Sequence, residues 1–359
     1  MDVLTHALLG ACVAGVAGAA VPAGTGDAAG AAANAAAPRR GIPMRERLAL
    51  GATAAALADL DFLSFAVDPQ RFLADWHQGP THSLLLAPLW ALLVALPYAW
   101  WRGQPALRAR AWVLCTLAWA SHALLDALTA YGTMLLLPWS TARHAFPLLF
   151  VIDPLPTALL AAGVLSAWRW RRRRAALLGL VALALWLSWA VTLQRQAQSL
   201  ARMQHPGPAA ANVSVWPQPF SALNWKLVAS DANGHWVAHV NLRGHAAWVP
   251  AMAGRWHALA AAYHAPQALR WQRREHPAAL NAHAWNDARL QAFRRFAVLP
   301  AVSSAAGDTA RHCRWFSDLR YDLPALPDTF RYGVCRDADG SWAAYRMPYL
   351  REEGPQRLR

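Results

Sequence analysis

The chain has 359 residues, 56% hydrophobic and only 15% charged, with a formal net charge of +14. That balance excludes a disordered chain, and the four cysteines are too few for a disulfide scaffold. Its arginines cluster between apolar runs, as in RWRRRR at 169–174, so the positive excess reads as membrane topology, not as a nucleic-acid surface.

Six apolar segments are predicted in chain order, at about 4–21, 48–66, 82–101, 111–130, 150–168 and 175–193. Each is close to the ~20 residues that a bilayer requires. The start, MDVLTH, lacks the basic region of a signal peptide, so the first segment reads as a span. The run GAAVPAG does resemble a cleavage site, and cleavage there would remove Asp2 and His6. Residues 17–38 are Ala/Gly-rich and read as a flexible loop. Loops 22–47 and 102–110 and the linker 169–174 carry most of the loop arginines, whereas 67–81 has only Arg71 and 131–149 only Arg143. The positive-inside rule then puts the first three in the cytoplasm and both chain ends outside.

From about residue 205 the texture changes. Alternating apolar and polar residues around Asn233-Gly234, and again around Asp339-Gly340, predict β-hairpins, and 251–297 looks helical. Cys313 and Cys335 lie in this polar part and can pair if the compartment is oxidising, while Cys12 and Cys115 sit in apolar runs as packing residues. The C-terminal histidines lack ligand spacing and read as surface residues. The expected fold is a polytopic α-helical membrane domain of about six spans (1–194), followed by a small extracytoplasmic α+β domain (195–359).

Ionisable residues stand in or beside the apolar runs. His122 and Asp126 are four apart and share one helix face. Asp59 and Asp61 are two apart, so a regular helix would point them about 200° from each other. They converge only if the helix ends or bends there, or if one acts behind the ligands. His77 and His82 bracket Gly79-Pro80, with Thr81 placed to cap the next helix. A charge within a bilayer costs roughly 2.5–3.5 kcal/mol even on a lenient scale, so such residues call for a use. In the six-span scheme His6, Asp59, Asp61, His77, His82, His122, Asp126 and Asp153 all come to one membrane face. Histidines with carboxylates suit a divalent ion. The plainer readings are an interhelical hydrogen bond for His122 and Asp126, a helix end for Asp59 and Asp61, a loop residue for His77 and a structural role for Asp153.

Four motifs in order, MDVLTHALLG, LADLDFL, HQGPTHSLL and SHALLDALTAYGTMLLLP, resemble those of the bacterial inner-membrane metal-dependent hydrolases, across roughly residues 1–160. The resemblance implies metal ligands at His6, Asp61, His82, His122 and Asp126. It implies catalytic roles for Asp59 and His77, and supporting or substrate contacts at Asp2, Thr5, Thr81 and Ser83. Two positions depart from the pattern: Ala58 stands where a proline is common, and Gln78 where an arginine is. A looser likeness, to zinc phospholipase C and related zinc nucleases, rests on the order His6, Asp59 or Asp61, His82, His122, Asp126.

The expected function is therefore a membrane-bound hydrolase using one or two divalent ions, Zn²⁺ first and Mn²⁺ or Mg²⁺ as alternatives. The expected substrate is a lipid-linked compound or phosphoester at the outer face of the inner membrane. The expected partner is the lipid bilayer, with no nucleic acid. Two alternatives stand beside it: an ion- or proton-coupled transporter, since His and Asp within spans also build ion pathways, and a non-catalytic envelope protein with a structural metal.

Overall fold

Helix α1 (Val3–Ala17) starts at Asp2, whose Oδ1 accepts the Thr5 backbone N–H at 3.0 Å. That cap satisfies one of the donors a helix start leaves open. α1 lies backbone to backbone on α2 (Met44–Leu57). A Cβ on Gly10 would stand 2.4 Å from the Gly51 carbonyl oxygen, and one on Gly51 2.2 Å from that of Gly10, so only glycine permits this crossing. The computed structural model describes residues 2–18, 41–208, 211–244, 254–303, 313–337, 339–349 and 354–358. Nearly all of the Ala/Gly-rich loop and the cleavage-like run lie outside these residues.

After Leu57 the helix tightens into a 3₁₀ stretch, Ala58–Ala66. Next come the short α3 (Pro69–Arg71), a π turn (Phe72–Trp76), a 3₁₀ turn (Pro80–His82), α4 (Ala87–Trp90) and α5 (Leu92–Trp101). α6 (Arg108–Asp126), α7 (Pro154–Trp170) and α8 (Arg173–Gln204) complete the helices of this half. The loop after α6 folds back on the Pro80–His82 turn. There Leu84 N–H donates to Leu135 O at 2.9 Å, Met134 N–H to Gln78 O at 2.9 Å and Ser83 Oγ to Leu137 O at 2.6 Å. Two compact units result, one of Met1–Asp61, Gln78–Phe146 and Val151–Ser188, the other of Phe62–His77, Pro147–Phe150 and Trp189–Arg359.

The expectation of six spans is not supported. Among the described residues two helices, Met44–Ala66 and Arg173–Gln204, are long and apolar enough to cross a membrane. A third span is counted only if the pair Pro69–His82 and Ala87–Trp101, bent by 73°, is one broken span. α1 has 15 residues, about 22 Å at 1.5 Å per residue against the ~30 Å of a bilayer core. α7 has 17 residues, and α6 is diluted by Arg108, Arg110, His122 and Asp126. The apolar runs mislead because a helix buried among helices reads like one buried in lipid. Cys12, Ala14, Ala54, Cys115 and Ala118 are completely buried by protein.

The C-terminal region carries more sheet than the small α+β domain expected from the sequence. It has two antiparallel sheets in simple chain order. The first comprises β1 (Asn212–Pro217), β2 (Asn224–Asp231), β3 (Gly234–Asn241) and β4 (Gln272–Glu275). The second comprises β5 (Pro300–Ser303), β6 (Arg314–Asp318), β7 (Tyr332–Arg336), β8 (Trp342–Arg346) and β9 (Gln356–Arg357). α9 (Gly254–Ala261) lies between β3 and β4, and α10 (Pro277–Trp285) and α11 (Gln291–Phe296) connect the two sheets, so the helical stretch foreseen at 251–297 is interrupted by β4. The β2–β3 turn falls one residue earlier than expected, at Ala232-Asn233, because Asp231 Oδ1 accepts the N–H groups of Asn233 and Gly234 at 2.8 and 3.0 Å. α8 ends by turning Leu193, Ala197, Leu200 and Ala201 onto Val215, Trp225, Leu227 and Val240.

His235 is buried, not on the surface: Ser230 Oγ lies 2.8 Å from Nδ1 and Pro300 O 3.0 Å from Nε2, tying one sheet to the other. Lys226 is also buried. Its ammonium donates to the backbone carbonyls of Leu319 and Asp322. Burial lowers the Lys226 ammonium and raises the Asp322 carboxyl, the latter pushed further by Asp328. Lys226→Met should cost about 2–4 kcal/mol, because two buried carbonyls lose their charged donor. Chemical denaturation of this region, followed by tryptophan emission, measures it; a loss under about 1 kcal/mol, the scale of one ordinary hydrogen bond, would show the pair to be dispensable.

Candidate metal centre

Three elements of the first unit deliver the four donors of the centre. The 3₁₀ stretch after α2 brings Asp59, the Pro80–His82 turn brings His82, and the last turn of α6 brings His122 and Asp126. One donor atom from each of these four lies within 4.8 Å of the other three. α1 adds His6 behind them.

The donors are not evenly spaced. His82 Nε2 and His122 Nε2 are 2.9 Å apart, and each is 3.2 Å from Asp126 Oδ2. These three form a nearly equilateral triangle. Ligands on a tetrahedral ion with ~2.0 Å bonds stand about 3.3 Å apart, so the triangle fits the face of one coordination sphere. Asp59 Oδ1 is set back, 3.5 Å from His82 Nε2 and 3.6 Å from His122 Nε2. Its side chain is 8% exposed, against at most 1% for the other three. Asp59 Oδ2 has no hydrogen-bond partner among the described residues.

A second layer orients the imidazoles. His82 Nδ1 lies 2.9 Å from Thr81 Oγ1 and 3.5 Å from Asp61 Oδ2. A proton held on that side leaves the Nε2 lone pair aimed at the cluster. Asp61 Oδ2 also accepts the Gln78 N–H at 3.0 Å, which fastens the turn to the 3₁₀ stretch. His6 Nε2 lies 3.0 Å from Asp126 Oδ1, and its ring stacks on His122 with centroids 3.7 Å apart. Two buried imidazoles facing each other at 2.9 Å beside carboxylates can share one hydrogen bond or hold a cation between them.

The other residues named from the sequence lie elsewhere. Asp2 and Thr5 act on the fold: Thr5 Oγ1 donates to Asp2 Oδ2 at 2.7 Å and meets Thr157 Oγ1 at 2.5 Å, joining α1 to α7. Ser83 binds the loop carbonyls of Leu135 and Leu137. His77 belongs to the second unit, its ring stacked on Phe72 at 4.7 Å and edge-on to Phe62 at 4.5 Å. Asp153 caps α7, accepting the Leu155 N–H at 3.1 Å. Gln78, read in the sequence only as a departure, is buried at φ 52°, and its side chain accepts from Thr133 Oγ1 at 3.1 Å. Thr133 and Trp119, whose Nε1 donates to Thr81 O at 2.6 Å, carried no sequence signal as supports.

A helical protein with one or more apolar spans and a buried His/Asp cluster able to hold a cation is the class these features define. The family model of the YdjM inner membrane protein matches residues 1–197, more than half of the chain, and the chain belongs to this family of bacterial inner-membrane proteins. No curated protein and no solved structure matches it.

Proposed function

We propose that the protein is a membrane-bound metal-dependent hydrolase, with a phosphoester of a lipid or lipid-linked compound as substrate. The observation that carries this reading is the place of Asp59: it is the most exposed of the four donors and its Oδ2 has no hydrogen-bond partner among the described residues, so this carboxylate is free to act on a water beside an ion held by the other three. A divalent ion there supplies Lewis-acid polarisation and brings the pKa of water towards ~7. His82, His122 and Asp126 would hold the ion. Thr81 and Asp61 fix the tautomer of His82, and His6 positions Asp126 through Oδ1. Asp59 Oδ2, without a hydrogen-bond partner among the described residues, would accept a proton from water at the centre.

Purified protein reloaded with Zn²⁺, Mn²⁺ or Mg²⁺ should hydrolyse bis(p-nitrophenyl) phosphate. Asp59→Asn should lower kcat by about 10²–10⁴ while metal content is retained, as expected for a general base. The competing reading is a structural metal with Asp59 as fourth ligand. It predicts that Asp59→Asn loses the metal and that the wild type shows no turnover above the His82→Ala background.

The C-terminal region is proposed to lie outside the cytoplasm. Two observations support this: the arginine run at 169–174 directly before the last span, and the disulfide between Cys313 and Cys335. Unreduced, denatured protein should then show two alkylatable thiols, Cys12 and Cys115, and an alkaline phosphatase fused to the C-terminus should be active. Four thiols and an inactive fusion would place the region inside.

A further inference from the structure

The second unit holds a cavity of about 1090 Å³ that no part of the metal centre enters. Its walls come from Ala66–Asp75, α11 and the turn before it, and β8 and β9. Five arginines line it, Arg71, Arg289, Arg295, Arg346 and Arg357, against two carboxylates, Asp68 and Asp75. The lining arginines therefore outnumber the lining acids and come from five separate elements.

Their present partners are weak or already shared. Arg71 stands 3.6 Å from Asp68, with side chains 67% and 40% exposed, and Asp68 also accepts the N–H groups of Gln70 and Arg71. Arg357 is 3.4 Å from Asp337 and 63% exposed. Exposed pairs of this kind contribute little to stability and yield readily to a better anion. Arg295 and Arg289 are held more closely, Arg295 by both oxygens of Asp75 at 2.8 and 3.1 Å and Arg289 by Asp287 at 3.0 Å. Arg346 rests on the Phe65 ring, 4.8 Å from its centroid, a placement that orients its fork without neutralising it.

We propose that this cavity is a binding site for a phosphate-bearing anion. A phosphate has three acceptor oxygens and close to two negative charges, and guanidinium forks approaching from several directions satisfy that geometry. The volume is that of a small-molecule site. Its position favours a headgroup: Val67 and Asp68 form the turn between the apolar helix Met44–Ala66 and the bent pair that begins at Pro69. If that helix crosses a membrane, the turn at its end faces lipid headgroups, whose phosphates have this chemistry. A soluble phosphorylated compound offers the same chemistry. The site does not rest on the hydrolase reading and stands if that reading fails.

The test uses the full-length protein in phosphatidylcholine nanodiscs, stripped of metal with a chelator so that the metal centre takes up no phosphate. Inorganic pyrophosphate and dihexanoyl phosphatidylglycerol are titrated separately by calorimetry against wild type, Arg346→Gln, Arg357→Gln and the control Arg270→Gln, whose exposed side chain lies outside the cavity. Saturable binding is expected, weakened about tenfold in each cavity variant, unchanged in the control and reduced by salt. Binding of the lipid alone assigns the site to the bilayer, binding of pyrophosphate alone to a soluble ligand, and binding of both to the shared chemistry. Arg357 is exposed at the edge strand, so its variant keeps the fold. Failure of both ligands to saturate, or equal affinity in wild type and both cavity variants, overturns the proposal.

Discussion

Wild-type protein dialysed against Zn²⁺ should retain about one equivalent per chain, and His82→Ala, His122→Ala and Asp126→Ala should retain none. The three side chains form the triangle of shortest separations, so each removal takes away a third of the holding set and leaves two buried groups facing a void. His6→Ala and Asp61→Asn should behave differently. They contact Asp126 Oδ1 and His82 Nδ1, not the centre, and the loss of such orienting partners typically weakens metal affinity 10–100-fold. They should fill at high metal and empty at low metal, whereas the first three stay empty throughout. Elemental analysis across a buffered metal series reads the difference. If His6→Ala matches His122→Ala, His6 is itself a ligand and the centre is larger than the triangle. If His122→Ala retains full metal, the cluster is a hydrogen-bond network.

The grouping of His122 with Asp126 was legible because four residues make one helical turn. The positions of Asp59 and Asp61 were legible only as a conflict. An α-helix would turn them away from each other, and the resolution is a change to 3₁₀ winding after Leu57 that no glycine or proline announces. Both then reach His82 from opposite nitrogens, Asp59 at Nε2 and Asp61 at Nδ1. His77 shows the opposite limit. It opens the third motif, and its ring packs with Phe62 and Phe72, a placement that the motif does not announce. The number of spans failed for a third reason. Hydropathy measures removal from water, and protein and lipid remove a side chain from water equally well. Leu193 to Ala201 show it within one helix, where the apolar stripe continues past the end of the expected span because it covers a β-sheet.

Gly51→Ala should destabilise the protein, and Gly51→Leu should abolish folded protein. An alanine in place of glycine within an ordinary helix gains about 1 kcal/mol from propensity alone. Here the added Cβ would sit 2.2 Å from Gly10 O and 2.6 Å from Ala14 Cβ. Neither is the end of a flexible side chain, so α1 and α2 must part by roughly 1 Å, and overpacking of this kind costs about 1–3 kcal/mol. The sign of the effect is therefore the test. A melting temperature that falls for Gly51→Ala locates the crossing at this glycine, and one that rises shows that the helices do not meet there. The consequence reaches the centre without touching a ligand. Gly10 lies one turn beyond His6, which holds Asp126, and α2 leads through Gly51 to Asp59. Parting the two helices moves the positioning imidazole and the proposed base away from the triangle carried by His82 and α6. Metal affinity should then fall in Gly51→Ala with every ligand intact, by an amount comparable to His6→Ala, because both variants act through the same contact to Asp126 Oδ1.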